Sequence, residues 1–295
     1  MMPDQTLIET KPSPLLSTHY RGIETRFDVE HGALWSVLNQ KGVPAFTLEF
    51  LGEAQHHQQM IKESGGVVEI DGSPEKINYL VNSTRSDQIF SLGGDLSLFC
   101  QLIKNADKNG LTHYGMECIK ILHSRLNHSY IDATTIALVR GEALGGGFET
   151  ALANDIIIAE KHSRMGFPEI LFNLFPGMGA YTILARKVGE RKAQEMILSG
   201  VMYTANELFE MGIVDIVVDS GCGEAAVNRY MKRQKRHANG IAALHEVRRR
   251  FSPISLDELY EVIHIWVKTA LLMNESDLKT MERLVRMQQK TFLGD

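Results

Sequence analysis

The sequence predicts an α/β protein with a largely parallel sheet, followed by a helical C-terminal region. Between about residues 76 and 218, short apolar or β-branched segments alternate with helical patterns. Such alternation favours parallel strands joined by right-handed crossovers. No strand pattern follows Val218, and residues 224–295 show only helical periodicity. We therefore divide the chain into an extended or disordered arm (1–20), an α/β core (21–220) and a C-terminal helical region (221–295).

Local patterns place the elements of the core in order. Residues 25–30 and 33–38 flank His31-Gly32 and predict a hairpin. Short apolar or β-branched runs predict further strands at 76–81, 88–92, 135–140 and 155–159. Helical spacing of apolar residues predicts helices at 53–63 and 116–126, and a third helix after the glycine run, ending near Ala153.

Composition excludes several classes of protein. The 295 residues carry a net charge of −5, which disfavours general binding of nucleic acid, because that binding depends on neutralising phosphates. Three cysteines without C-x-x-C spacing indicate neither a disulfide framework nor a zinc site, so we expect a reducing compartment. The chain shows no secretory leader and no apolar run of about 18 residues, so we expect a cytoplasmic protein that does not enter the membrane.

Two glutamates in glycine or proline settings are the candidate chemistry. Glu149 ends Leu144-Gly-Gly-Gly-Phe-Glu149, and Glu169 lies in Gly166-Phe-Pro-Glu-Ile170. A third segment, Phe90-Ser-Leu-Gly-Gly-Asp-Leu96, offers another close backbone approach. Paired backbone N–H groups stabilise a thioester enolate, and two carboxyls in apolar surroundings can supply one acid and one base. A single Glu on a loop is more often simply solvated, so the indication of proton transfer rests on the three segments together.

These segments, in their order along the chain, resemble the crotonase (enoyl-CoA hydratase/isomerase) superfamily. The segments that carry the resemblance are 90–96, 141–149, 155–159, 168–169, 176–179 and 205–214. The resemblance implies repeated ββα units in a spiral core, and an oxyanion hole made by the N–H groups of Leu92 and Gly146. It also implies that Glu149 and Glu169 act as acid and base, with Glu169 taking the α-proton. Family members commonly form trimers or hexamers.

Within that superfamily, the chain looks most like the bacterial synthases of diffusible signal factors. Tyr79-Leu-Val-Asn82, His113-Tyr-Gly-Met-Glu117 and the apolar segment 167–175 carry this likeness. It implies dehydration of a 3-hydroxyacyl thioester of acyl carrier protein, then hydrolysis to a cis-2-unsaturated fatty-acid signal, with no cofactor or metal. Two alternatives stay open: a conventional enoyl-CoA hydratase of β-oxidation, and a regulatory protein on this scaffold that binds a signalling sensor protein.

Two further groups of residues have a functional and an ordinary interpretation. An acyl pocket is predicted from apolar and glycine residues near the motifs, for which core packing is the alternative: Gly93, Gly94, Met116, Ile119, Gly145, Phe172, Phe175, Met178 and Trp266. A basic stretch could dock an acidic carrier protein, or be a solvated helix face: Arg229, Lys232, Arg233, Lys235 and Arg236.

Overall fold

The fold consists of two main sheets wrapped by helices, in a computed structural model that describes residues 13–128 and 131–293. The strands are β1 (Ile23–Asp28), β2 (Ala33–Leu38), β3 (Val67–Ile70), β4 (Ser73–Lys76), β5 (Tyr79–Thr84), β6 (Ile89–Ser91), β7 (Thr134–Val139), β8 (Glu142–Leu144), β9 (Ile156–Glu160), β10 (Arg164–Gly166), β11 (Met202–Thr204) and β12 (Ile216–Val218). The large sheet has the order β1-β2-β5-β7-β9-β12, and the smaller one has the order β11-β10-β8-β6.

Helices connect the strands and form the whole C-terminal region that the structure describes. They are α1 (Pro14–Ser17), α2 (Leu48–Glu63), α3 (Leu96–Lys104), α4 (Lys108–Leu126), α5 (Gly146–Leu152), α6 (Ala180–Val188), α7 (Glu190–Ser199), α8 (Ala205–Glu210), α9 (Gly223–Gln234), α10 (Ala238–Phe251), α11 (Leu256–Ala270) and α12 (Glu275–Leu293). Short 3-10 helices span Pro168–Phe172 and Lys235–His237. Among these described helices, none is long and apolar enough to cross a membrane.

The same unit repeats along the chain. In each repeat one strand joins the large sheet, the next joins the small sheet, and a helix follows, as in β5-β6-α3, β7-β8-α5 and β9-β10 with the 3-10 helix. All neighbours in the large sheet pair in parallel except β1 and β2. The α/β class and the repeated ββα unit expected from the sequence are therefore confirmed.

The large sheet separates two apolar layers. Along β7, Ala137 and Val139 belong to the main core with α4 and α5, whereas Ile136 and Leu138 belong to a second cluster under α9. This alternation follows from the two-residue period of a strand. It places α5, and therefore Glu149, on the face of the sheet opposite α9.

Several sequence-based boundaries were wrong. The strand expected at 76–81 is divided between β4 and β5, because Ile77 and Asn78 belong to neither strand. Helix α2 begins five residues before its predicted start, where Thr47 caps it by accepting a hydrogen bond from Phe50 N. Part of the predicted N-terminal arm is helical: Leu15 in α1 is buried beside Leu34. Residues 1–12 of that arm lie outside the described residues.

Candidate active site

Glu149 is buried in the first turn of α5, and its two carboxyl oxygens differ. Oε1 accepts hydrogen bonds from the backbone N–H groups of Met178 and Ala180, both at 2.9 Å. Oε2 is buried and has no hydrogen-bond partner among the described residues. The segment from Pro176 to Ala180 therefore holds one oxygen of the carboxyl and leaves the other for a ligand.

Glu169 reaches the same place from the 3-10 helix Pro168–Phe172, where the sequence predicted a loop fixed by Pro168. Its Oε1 lies directly against Gly145, where a Cβ atom would overlap it. Gly145 has φ 50° and ψ −120° and begins α5. A glycine is therefore required there both by the backbone and by the glutamate. Oε2 of Glu169, like that of Glu149, is buried without a partner.

Burial raises the pKa of both carboxyls into the neutral range. Desolvation raises the pKa of Glu149 from 4.5 to about 7, against the opposing effect of the two amides on its Oε1. Desolvation, and next the charge of Glu149, raise the pKa of Glu169 to about 8. Near neutral pH the pair can hold one proton and so offer an acid and a base together. Because the amides favour the ionised form of Glu149, that proton resides preferentially on Glu169.

Two backbone amides face the same space, but one differs from the predicted pair. The Leu92 N–H donates to Pro44 O at 2.9 Å and is not free for a substrate oxygen, so its prediction as an oxyanion donor was wrong. The amides of Gly94 and Gly146 have no acceptor among the described residues. A Cβ on Gly146 would lie 3.6 Å from Gly94 N, so the two amides are close. Gly94 replaces Leu92 in the candidate oxyanion hole.

Gly93 allows the amides of Gly94 and Gly146 to lie close together. A Cβ there would lie 2.6 Å from Leu144 O and 2.8 Å from Gly146 N, and its φ of 83° independently favours glycine. Asp95, which follows Gly94 in the same segment, has a structural role, since its side chain accepts a hydrogen bond from Leu98 N and caps α3. The upstream motif thus places one free amide and starts one helix.

A cavity of about 100 Å³ is lined by Glu169, Gly94 and Gly146, and we call it the catalytic cavity. Glu149 is not among its lining residues, although Met178, whose N–H holds Glu149, is. Of the nine predicted pocket residues, five line it: Gly94, Gly145, Phe172, Met178 and Trp266. Gly146, predicted for the oxyanion hole, lines it as well. The other four do not: Gly93 shapes the hole, Ile119 is core, and Met116 and Phe175 are half-buried against the core. Lining residues that the sequence reasoning missed include Phe99 on α3 and Leu284 and Gln288 on α12. No sequence pattern around these residues predicts their position, because only the packing of α3 and α12 brings them to the cavity.

The predicted docking residues lie away from the catalytic cavity. Arg229, Lys232 and Arg233 are exposed on α9, and Lys235 and Arg236 follow in the 3-10 helix. Helix α9 packs on the face of the large sheet opposite α5. A partner on this surface would not meet the catalytic cavity of the same chain directly. Within the described residues, no group of three His, Cys, Asp or Glu side chains is arranged to hold a metal ion.

Comparison with known proteins agrees with this geometry. The model of the enoyl-CoA hydratase/isomerase family matches residues 58–266, and the chain belongs to that family. Bacillus subtilis YhaR, provisionally named an enoyl-CoA hydratase/isomerase, is 28% identical over 213 residues, which cover 71% of this chain and 79% of YhaR. Family members act on acyl thioesters and commonly oligomerise.

Solved structures share the fold. Human mitochondrial delta3-delta2-enoyl-CoA isomerase superposes with a TM-score of 0.74 at 14% identity, covering 92% of this chain and 99% of the isomerase. Pseudomonas aeruginosa DspI gives a TM-score of 0.67 at 23% identity, covering 92% of this chain and 98% of DspI. The protein therefore has the crotonase fold, a parallel α/β core with C-terminal helices.

Proposed function

We propose that the protein dehydrates a 3-hydroxyacyl thioester of acyl carrier protein and then hydrolyses the product to a free cis-2-unsaturated fatty acid. The observation that carries this proposal is the buried pair Glu149 and Glu169, whose pKa values near 7 and 8 keep one proton between them. Glu169 lines an apolar cavity together with Gly94 and Gly146, whose amides have no acceptor among the described residues. The carrier, the hydrolysis and the cis geometry are supported by the resemblance to signal-factor synthases.

Dehydration would use every part of the site. The thioester oxygen accepts hydrogen bonds from Gly94 N–H and Gly146 N–H, which lowers the free energy of the enolate. Glu169, as carboxylate, takes the α-proton; Glu149, protonated, gives its proton to the departing 3-hydroxyl, which leaves as water. The electron pair of the Cα–H bond becomes the new double bond. This step needs the proton on Glu149, so substrate binding has to reverse the preference seen in the free pair.

Hydrolysis would follow at the same place. A water molecule loses a proton to one carboxylate and attacks the thioester carbonyl, whose oxygen becomes negative beside the same two amides. When that tetrahedral intermediate collapses, the C–S bond breaks and the carrier thiol takes a proton from the carboxyl. The free acid leaves with no cofactor consumed.

A conventional enoyl-CoA hydratase is the second candidate, and one observation favours it. The proton of the free pair prefers Glu169, and the ionised Glu149 is then ready to activate water. That distribution suits addition of water to a double bond, with Glu169 delivering the α-proton. A purely regulatory binding protein would need neither buried carboxyl, so the retained pair disfavours that third alternative.

The deciding experiment supplies 3-hydroxydodecanoyl thioesters of acyl carrier protein and of CoA to the pure protein and follows products by mass spectrometry. We expect free 2-unsaturated acid from the carrier form. Glu149→Gln and Glu169→Gln should each lower its formation at least about 100-fold, since each removes one of two proton-transfer groups. Reversible hydration confined to the CoA form would refute the proposal and identify a hydratase.

A further inference from the structure

A second cavity lies behind the oxyanion hole. It has a volume of about 100 Å³ and shares two wall residues, Gly146 and Met178, with the catalytic cavity. Helices α2, α4 and α5 and strand β2 supply most of its lining, which is chiefly apolar. Neither catalytic glutamate lines it. We call it the rear cavity, and the proposed reaction does not require it.

The rear cavity contains a buried cation without a counterion. Arg125 on α4 is only 7% exposed and lines the cavity. Its guanidinium donates to the amide oxygens of Asn154 at 2.9 Å and Asn82 at 2.6 Å. No carboxylate of the described residues lies within 4 Å of it. Buried charges are normally paired, because desolvating an unpaired ion is costly. The missing partner is an anion.

A second polar group at the cavity has spare hydrogen-bonding capacity. His57 on α2 is 4% exposed; its Nε2 pairs with Ser36 Oγ at 2.8 Å, whereas its Nδ1 is buried with no partner among the described residues. Burial, followed by the charge of Arg125, lowers the pKa of His57 to about 4. The imidazole is therefore neutral at physiological pH, and Arg125 is the positive charge of this cavity.

We propose that the rear cavity binds the free anion of a short-chain fatty acid, with its carboxylate on Arg125 and its chain along the apolar wall. An apolar wall with a few fixed polar groups is the usual composition of a ligand pocket. Arginine pairs readily with a carboxylate. An engineered 150 Å³ cavity holds benzene, which has six carbons, so this smaller space suits an acid of about four carbons.

This inference goes beyond the proposed function, because a cavity of about 100 Å³ is too small for the twelve-carbon acid of the deciding experiment. Gly146 offers one amide to the oxyanion hole, and Met178 N holds Glu149, while both residues also line the rear cavity. A bound short-chain acid would therefore contact residues of the oxyanion hole and of the Glu149 support from behind. The rear cavity is a site at which such an acid can act on the enzyme without entering the catalytic cavity.

The test measures calorimetric binding of butanoate and of butanol to the full chain. Ala54→Phe fills the rear cavity from α2, and Leu284→Trp fills the catalytic cavity from α12. We expect Ala54→Phe to weaken butanoate binding at least 10-fold and Leu284→Trp to leave it within about twofold. Loss in Leu284→Trp with retention in Ala54→Phe would put the acid in the catalytic cavity and overturn the inference.

The role of the charge is tested separately. The unchanged protein should bind butanoate at least 10-fold more tightly than butanol, and Arg125→Gln should abolish that difference while still binding butanol. Butanol binding by Arg125→Gln shows that the cavity has survived the substitution; if both ligands are lost, Arg125→Lys must restore the preference for butanoate. Arg26→Gln, which removes an exposed arginine, is the charge-matched control and should change nothing.

Turnover of the carrier thioester in the same preparations separates the two proposals. Normal turnover without butanoate binding would overturn this inference alone. Butanoate binding with the expected variant pattern, but no turnover, would overturn the proposed function alone.

Discussion

At the scale of single residues, burial gives Glu149 and Glu169 their chemistry and makes them destabilising at neutral pH. Their folded-state pKa values, about 7 and 8, lie above the ordinary value of 4.5. A group whose pKa is raised on folding binds its proton more tightly in the folded state. The free energy of unfolding therefore falls as pH rises from about 4.5 through 8, and the loss is absent below that window.

Glu169→Gln should stabilise the protein and inactivate it. Glutamine keeps the shape but cannot ionise, so we expect the free energy of unfolding to increase by roughly 1–3 kcal/mol at pH 8 and to change little at pH 5. Urea denaturation at the two pH values measures this difference. Glu30→Gln, at an exposed position, is the control and should have no effect. An equal gain at both pH values would mean that ionisation is not the cause.

Gly145→Ala should separate strain from catalysis. The new Cβ would overlap Glu169 Oε1 and displace the carboxyl, so kcat should fall at least about 100-fold. Gly65 has a similar φ of 61° but nothing within 4 Å of an added Cβ. Gly65→Ala therefore also places a side chain at positive φ, at a cost of roughly 1–2 kcal/mol, without touching the site. Steady-state kinetics should show normal kcat for Gly65→Ala; equal losses in both variants would refute a positional role for Gly145.

At the scale of elements, the sequence predicted the features that depend on residues close together along the chain. The glycine run and the two glutamates were predictable, because a close backbone approach requires glycine and proton transfer requires carboxyl groups. Both residue types can be read directly from the sequence. Which amide stays free was not predictable from the motif. It depends on the Pro44 carbonyl, which a distant loop brings to Leu92. Met116 and Phe175 have the same apolar character as true lining residues, so only packing distinguishes them.

The contribution of α12 was unpredictable for the same reason. Its amphipathic pattern predicts a helix but not what the helix covers. In the structure, Lys104 of α3 pairs with Glu282 at 2.5 Å, and Asn173 donates to Asp277 at 3.1 Å. These contacts bring Leu284 into the wall of the catalytic cavity. Leu284, which follows Glu149 by 135 residues in the sequence, thus completes the wall of the catalytic cavity.

Leu284→Ala should lengthen the preferred acyl chain. Removing three side-chain carbons enlarges the catalytic cavity, and each methylene buried there contributes about 0.8 kcal/mol. We expect kcat/KM for a substrate two carbons longer to rise about 10-fold relative to that for the parent chain. A series of acyl thioesters measures the ratio, and Leu272→Ala, at a residue 75% exposed on the surface, is the control. An unchanged ratio would show that α12 does not limit chain length.

At the scale of the whole molecule, the large sheet separates the basic surface of α9 from the catalytic cavity of the same chain. The docking of a carrier on Arg229, Lys232 and Arg233 is therefore productive only if a second chain places its own cavity nearby. Family members commonly oligomerise, which makes such an arrangement accessible. Acidic carriers are attracted by clustered positive charge, and this attraction affects encounter more than chemistry.

Replacing those three residues of α9 by glutamine should raise KM for the carrier thioester at least about threefold at low salt while leaving kcat unchanged. KM for the CoA thioester should stay within twofold, because CoA does not present a protein surface. The difference should shrink as salt rises, since exposed charges are screened within about 10 Å at 0.1 M. Lys62→Gln, on α2, controls for the loss of an exposed charge elsewhere. If KM for the carrier form does not change at low salt, α9 is only a solvated helix face, and the carrier must approach from the side of the sheet that holds α5.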